Sequence, residues 1–219
     1  MTNIQYSLSK IFLILSLSNL IIGCSVNIPD KTLELNTFFK DFTLNQSNSE
    51  GNIVFKMNSP QAVITKDTRA VNAKSTEITF YENENPIYNV ISDRSTISSD
   101  GKLIVLYGNV FLTRINENQI TMAADKVEWS SIKDTISFEG NVLGNMETSK
   151  ISSSQAIYYL KDDIMIFSDL KEYIVKNDNN EDNIFELKAK TATWDGSTGK
   201  LIFDSSGNEV NSKFYIPLK

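Results

Sequence analysis

The chain has 219 residues, of which 41% are hydrophobic and 22% charged, and its net charge is −6. This acidic balance argues against nucleic-acid binding, which usually requires a basic surface. The sequence contains no histidine and only one cysteine, so the commonest general base is missing and no disulfide can form within the chain. We therefore predict a non-enzymatic protein without a cofactor, whose fold depends on its own apolar core.

A short apolar segment near the N-terminus ends in the pattern Ile-Ile-Gly-Cys at Cys24, the only cysteine. Lys10 supplies a positive charge before the apolar run at residues 11–22, as a signal peptide requires. An apolar pair, a small residue and a cysteine are typical of a lipoprotein processing site. We predict that residues 1–23 are removed and that Cys24 carries the lipid of an exported protein. An uncleaved single-span anchor is the alternative.

Residues 24–51 are predicted to form a tether and a lead-in segment. Turn-forming residues follow Cys24, and the apolar side chains at residues 31–42 fit either a short helix or a first strand. Residues 45–52 are polar and loop-like. Beyond them β-branched and aromatic residues predominate, so residues 52–219 are predicted to form one β domain.

A template of about 30 residues recurs along the β domain. Its copies begin at residues 57, 90, 122, 151 and 187. Large apolar residues stand two apart in each copy, which favours strands over helices. At the start of the third copy these residues are even-numbered up to Ala124 and odd-numbered from Val127, so the parity of the apolar positions changes between the two. Because one inserted residue exchanges the two faces of a strand, this change predicts a bulge or corner. The same change falls between Ser59 and Ala62, between Ser92 and Ser95, and between Ala189 and Ala192.

Each copy thus predicts a bent strand, a turn and a returning strand, with hairpin turns at residues 98–102, 130–134, 161–163 and 195–200. Stacked copies form an all-β fold, a long antiparallel sheet folded over on itself with an apolar inner face. These inner residues either only pack a sandwich core or also line a groove open to an acyl ligand. The groove candidates are Ile104, Leu106, Val110, Leu112, Met122, Trp129, Ile136, Phe138, Val142, Ile164 and Ile166, the last two after a one-residue deletion in the fifth copy.

Two of the repeats are built around similar motifs, Leu-Tyr-Gly-Asn-Val at residues 106–110 and Phe-Glu-Gly-Asn-Val at residues 138–142. With the export signal that precedes them, these repeats resemble the LptC family of lipopolysaccharide-export proteins. The resemblance extends over residues 52–205 and is clearest over residues 86–170. It implies a V-shaped β-jelly-roll, or β-taco, with a hydrophobic interior for lipid acyl chains. Related folds are those of the bridge protein LptA and of the N-terminal domain of LptD.

The resemblance also implies partners and a location. Lipopolysaccharide or a related glycolipid would come from an inner-membrane ABC transporter and pass to an LptA-like bridge through exposed edge strands. The protein would lie on the periplasmic side of the inner membrane, with outer-membrane attachment or a single-span anchor as alternatives. Another kind of protein that fits is a structural or surface lipoprotein with a closed β-sandwich core. A third is a glycan-acting enzyme, against which the missing histidine weighs.

Several charged residues invite a chemical role and also fit an ordinary surface. Asp93 and Asp125 recur at matching positions, as a catalytic pair would, but they equally suit corners that form local hydrogen bonds. The acidic pairs at residues 162–163 and 181–182 fit a cation site or a solvated loop. Four basic side chains either bind the phosphates of a glycolipid or remain solvated at the surface. They are Arg94, Arg114, Lys126 and Lys133.

Overall fold

The structure is a computed structural model that describes residues 36–115, 120–146, 149–175, 185–205 and 211–214. The predicted signal segment, Cys24 and the acidic pair at residues 181–182 lie outside these residues. In the described part of the chain, no helix is long and apolar enough to cross a membrane. The strands are β1 (Thr37–Ser47), β2 (Ile53–Ile64), β3 (Val71–Glu82), β4 (Asn85–Ile97), β5 (Leu103–Arg114), β6 (Thr121–Ser130), β7 (Thr135–Met146), β8 (Ser149–Tyr159), β9 (Ile164–Val175), β10 (Phe185–Lys188), β11 (Thr191–Asp195), β12 (Lys200–Asp204) and β13 (Asn211–Phe214).

Eleven of these strands form one sheet in chain order, β1 to β9 followed by β11 and β12, and β10 pairs with β13 separately. Every neighbouring pair is antiparallel, and strands end where the four hairpin turns are predicted. The all-β prediction is therefore confirmed. Short polar turns suffice because each strand needs only to reverse direction to pair with the next.

The sheet begins within the predicted lead-in segment. Strand β1 pairs with β2 in a register that places Phe39 opposite Ala62 and Leu44 opposite Met57. Of the two alternatives for residues 31–42, the described part adopts the strand. The polar turn then occupies residues 48–52, where the Asn48 side chain accepts hydrogen bonds from the backbone of Glu50 and Asn52.

Each long strand has a corner in its middle, and in most of these strands the buried positions change from one parity to the other at this corner. In β2, Met57 and Ser59 are buried before the corner and Ala62 after it. The same change occurs between Ser92 and Ser95 in β4, and between Ala124 and Val127 in β6, so these three predicted corners are confirmed. In the last copy the strand is interrupted, because β10 ends at Lys188 and only β11 joins the main sheet.

Two different devices form the corners. On the even strands β2, β4 and β8, the hydroxyls of Ser59, Ser92 and Ser153 each donate to the carbonyl two residues further on. On β5 and β7 the dipeptide Gly-Asn supplies two successive residues with positive φ, for example 75° at Gly140 and 45° at Asn141. The Gly-Asn corners shift the register by one residue, as a bulge that bends its strand does.

The corners divide the sheet into two halves, which we call leg A and leg B. The two legs pack against each other: Phe55 and Phe80 of leg A contact Trp129 of leg B, with ring centroids 6.2 and 5.2 Å apart. The sheet is therefore folded over on itself. Leg A contains residues 42–47, 53–58, 76–82, 85–92, 110–114, 120–124, 142–146, 149–153 and 170–175, and leg B contains residues 37–40, 61–64, 71–74, 94–97, 103–107, 126–130, 135–139, 155–159 and 164–168 with β11 and β12.

Candidate functional site

The space between the two legs holds most of the predicted groove residues. Nine of the eleven are buried there and belong to one apolar cluster, in which the most enclosed side chains are fully shielded from solvent. Both legs contribute, so the cluster is a true interior and not one face of a flat sheet. Its predicted members are Ile104, Leu106, Trp129, Ile136 and Phe138 from leg B, and Val110, Leu112, Met122 and Val142 from leg A.

The inward orientation predicted for Ile164 and Ile166 is wrong. Both side chains are only half-buried, whereas their neighbours Met165 and Phe167 are buried in the core. In the β8–β9 register Tyr158 lies opposite Met165, so the buried faces of the two strands match without any deletion. The run Ile-Met-Ile-Phe is apolar at every position, and such a run contains no alternation from which the inner face can be identified.

The interior is filled by side chains in this structure. In the described part of the chain, a cavity of about 10 Å³ lies between the legs, lined by residues that include Leu112, Met122 and Phe138. That volume is at the lower limit for a single water molecule. The buried side chains of the described residues pack closely between the legs, and such packing leaves little space for an acyl chain while the legs are together.

A polar cluster joins the two legs beside this cavity, and we call it the clasp. It consists of Tyr88 and Arg114 from leg A, and Tyr158 and Asp163 from the end of leg B. The Tyr158 hydroxyl donates to Asp163 Oδ1 at 2.5 Å, and Arg114 Nη1 lies 3.3 Å from the same oxygen. The Tyr88 hydroxyl donates to the Tyr158 hydroxyl at 3.3 Å. Two polar bonds thus cross directly from one leg to the other.

The electrostatics of the clasp keep both phenols neutral. Burial, together with the hydrogen bonds to Asp163 and Tyr88, raises the pKa of Tyr158 well above its usual range. Burial also raises the pKa of Tyr88. A neutral Tyr158 remains a donor to the carboxylate at any physiological pH, so the clasp is closed under those conditions. The sequence offered no sign of this cluster, since its members are far apart along the chain.

Asp93 and Asp125 form local hydrogen bonds at the corners, which is one of the two roles that the sequence left open for them. Asn109 Nδ2 donates to Asp93 Oδ2 at 2.9 Å, and Asn141 Nδ2 donates to Asp125 Oδ2 at the same distance. A Cβ atom at Gly140 would lie 2.5 Å from Asp125 Oδ2, which explains why glycine stands there. Within the described residues, no group of three or more acidic or cysteine side chains is placed to hold a metal ion.

A second concave site lies on leg B, and we call it the cationic cleft. Its volume is about 740 Å³. Its walls are two rows of side chains that face away from the core, and between them lies the backbone of Ala62, Ala73 and Ser95, whose own side chains are buried. One row consists of Lys40, Gln61, Lys74, Arg94 and Tyr107, and the other of Phe38, Val63, Asn72 and Thr96.

These features define an all-β protein whose main antiparallel sheet of eleven strands folds over an apolar interior. Over residues 11–169 the chain matches the family model LptC, described as lipopolysaccharide-assembly, LptC-related. The chain belongs to this family. Membership assigns it to lipopolysaccharide transport in the periplasm, as the sequence predicted, whereas lipid attachment at Cys24 stays a prediction.

A solved structure of LptH from Pseudomonas aeruginosa, titled as the LptA homologous periplasmic component of the conserved lipopolysaccharide transport device, is similar with 5% sequence identity and a TM-score of 0.46. The similarity covers 75% of this chain and 95% of that one. No curated protein matches the chain.

Proposed function

We propose that this protein holds the acyl chains of lipopolysaccharide, or of a related glycolipid, between its two legs during transport from the inner membrane. The observation that carries the proposal is the apolar interior shared by both legs. Burial of each methylene of an acyl chain contributes about 0.8 kcal/mol. A continuous interior of this kind therefore suits a lipid that water rejects.

Entry of the lipid would require the legs to separate. Each leg keeps its own backbone hydrogen bonds with neighbouring strands, so the corners can act as hinges without breaking the sheet. The contacts to be broken include the aromatic contacts of Trp129, the clasp and the packing of the apolar cluster between the legs. Acyl chains would then replace the lost apolar contacts between the legs.

Handover would take place at the ends of the sheet. Strands β1 and β12 are the two outermost strands, and each pairs with only one neighbour in the described part of the main sheet. An edge strand offers free backbone groups to which another strand can add. We propose that one edge meets the ABC transporter complex and the other an LptA-like bridge, so that lipid passes from one interior to the next.

Attachment at Cys24 would hold this carrier at the periplasmic face of the inner membrane. A diacylated cysteine supplies more than one chain, which stable anchoring requires. Labelling of cells with radioactive fatty acid should mark the wild-type protein and not Cys24→Ala. Equal labelling of both would overturn lipidation, and an unlabelled protein that retains residues 1–23 would favour the single-span anchor. Fractionation of the labelled protein between the two membranes would distinguish inner from outer attachment.

A photo-crosslinking amino acid introduced at single positions tests the carrier function in cells. Phe138 faces the interior and is 1% exposed. The next residue, Glu139, is the matched control, because its side chain faces solvent and is 52% exposed. We expect a crosslink to lipopolysaccharide at position 138 and none at 139. Crosslinks only at 139 would refute the interior as the lipid site.

The filled interior favours one other candidate, a structural lipoprotein with a closed core. A remaining cavity of about 10 Å³ is what such a core would have. In that case neither position would crosslink to lipid, even while transport is active. Correct folding of both crosslinker variants is checked by their thermal unfolding.

A further inference from the structure

The cationic cleft has a composition unlike that of the whole chain. Lys40, Lys74 and Arg94 line it, and the described residues that form its walls include no carboxylate. Yet the chain as a whole has 27 acidic and 21 basic residues. Three cations without a counter-charge in one concave site favour an anionic ligand.

The register brings the cations into one row on one face. Lys40 lies opposite Gln61 and Gln61 opposite Lys74, while Lys74 lies directly opposite Arg94. With neighbouring strands about 4.8 Å apart, the row extends roughly 14 Å across the sheet. Like charges that face each other across a strand pair are destabilising. No carboxylate of the described residues forms an ion pair with any of the three, so a bound anion would relieve this repulsion.

Large apolar groups stand beside the cations. Phe38 is 76% exposed, and Tyr107 is also exposed. Both belong to the two outward-facing rows that line the cleft. Exposed aromatic side chains gathered in one concavity mark a binding site more often than chance exposure does. The ligand should therefore be amphiphilic, with an anionic part and an apolar part.

We propose that the cationic cleft binds single amphiphiles with a phosphate group, and that it is a second lipid site on the outside of leg B. Lys74 and Arg94 contact the phosphate, and the apolar chain lies against Phe38 and its neighbour Val63 in the other row. The guanidinium of Arg94 suits a phosphate because it can donate two parallel hydrogen bonds. This site does not depend on opening of the interior.

The concave shape favours a single molecule over a membrane surface. A volume of about 740 Å³ lies within the range of sites for small molecules, about 300–1,000 Å³. A flat bilayer would contact the rim of such a cleft and leave its backbone floor unfilled. Hydrogen bonding between Thr96 and Asn72 at 2.9 Å fixes two of the wall residues, so the cleft is formed before a ligand arrives.

Isothermal titration of the purified protein with dihexanoyl phosphatidic acid below its micelle concentration tests the site. The same chains with a phosphocholine head, and inorganic phosphate alone, are the comparison ligands. We expect phosphatidic acid to bind most tightly and its affinity to fall at high salt. The variant Lys74→Gln/Arg94→Gln should weaken it about tenfold, as loss of two exposed charge contacts predicts. Phe38→Ser should weaken it severalfold without loss of stability, because that side chain is exposed.

The matched control is Lys133→Gln, which removes an exposed cation in a turn outside the cleft and should bind as the wild type does. Equal affinity of the double variant and the wild type would overturn the proposal. Binding of inorganic phosphate as tight as that of phosphatidic acid would overturn the apolar part of it. Binding to vesicles with anionic lipid, without binding of the monomeric lipid, would replace a single-molecule site by a membrane-docking surface. None of these results depends on crosslinking in the interior.

Discussion

Removal of one hydroxyl group from the clasp, in Tyr158→Phe, should loosen the contact between the legs. The hydroxyl donates to the Asp163 carboxylate at 2.5 Å, and a hydrogen bond to a charged group contributes about 1.5–3 kcal/mol. Tyr88 also loses the acceptor of its own hydroxyl. Because Asp163 keeps Arg114 and partial access to water, we expect a net loss of about 2 kcal/mol in the free energy of unfolding.

For a protein of this size that loss lowers the melting temperature by about 4–8 °C. Thermal unfolding followed by circular dichroism measures it. Tyr159→Phe is the matched control, since this neighbouring side chain is exposed and lies outside the clasp. Tyr158→Phe should also bind lipid faster, because the legs separate more easily. Equal melting temperatures for Tyr158→Phe and the wild type would refute a stabilising role of the Tyr158 hydroxyl in the clasp.

The clasp also predicts a loss of stability at alkaline pH. The folded protein raises the pKa of Tyr158 and Tyr88 above that of a free tyrosine, which is about 10. Their contribution to stability is complete below that pH and decreases as the pH rises above it, because the unfolded state then releases the protons first. Unfolding experiments between pH 8 and pH 11 should show this decrease, and Tyr158→Phe should reduce it. A decrease of equal size in the variant would contradict the assignment.

Two further predictions concern the corners and the register of β9. Gly140→Ala should destabilise the protein by at least about 2 kcal/mol, because alanine is strained at positive φ and its Cβ displaces Asp125. Gly199 has a similar φ but open space around it, so Gly199→Ala should lower the free energy of unfolding only by the backbone strain. An equal loss of stability in the two variants would refute the contact between position 140 and Asp125. Phe167→Ala should lower the free energy of unfolding by about 3–5 kcal/mol, and Ile166→Ala should lower it clearly less. If denaturant unfolding gives the reverse order, the inward orientation predicted from the sequence for Ile166 was right.

Several elements of the fold were predictable because their signals are local. Alternation identifies strands, a change of parity such as that between Ala124 and Val127 identifies a corner, and Asp100-Gly101 identifies a turn. In the fifth copy the predicted inner face was wrong at residues 164–167, where apolar and polar residues do not alternate. In that run the inner face is decided by the partner strand, on which Ala156 and Tyr158 are already buried.

The sites depended on contacts that the sequence does not contain. The clasp joins Arg114 to Asp163 across 49 positions of the chain, and the cationic cleft assembles residues from five strands. Arg94 was recognised as a phosphate candidate, but its neighbour Lys74 was not, since only the β3–β4 register places them opposite each other. Whether the interior was filled or open also depended on packing between the legs.

Separation of the legs on lipid binding is the most direct test of the proposed function. Spin labels at Phe111 on leg A and Ile157 on leg B, both exposed, report the distance between the legs in a Cys24→Ala background. A second pair consists of Ile132, in the turn that joins the leg B segments of β6 and β7, and Ile157 of leg B, and it serves as the control. Addition of lipopolysaccharide should lengthen the first distance by several ångströms and leave the second unchanged. Bound lipopolysaccharide with both distances unchanged would contradict a lipid site between the legs.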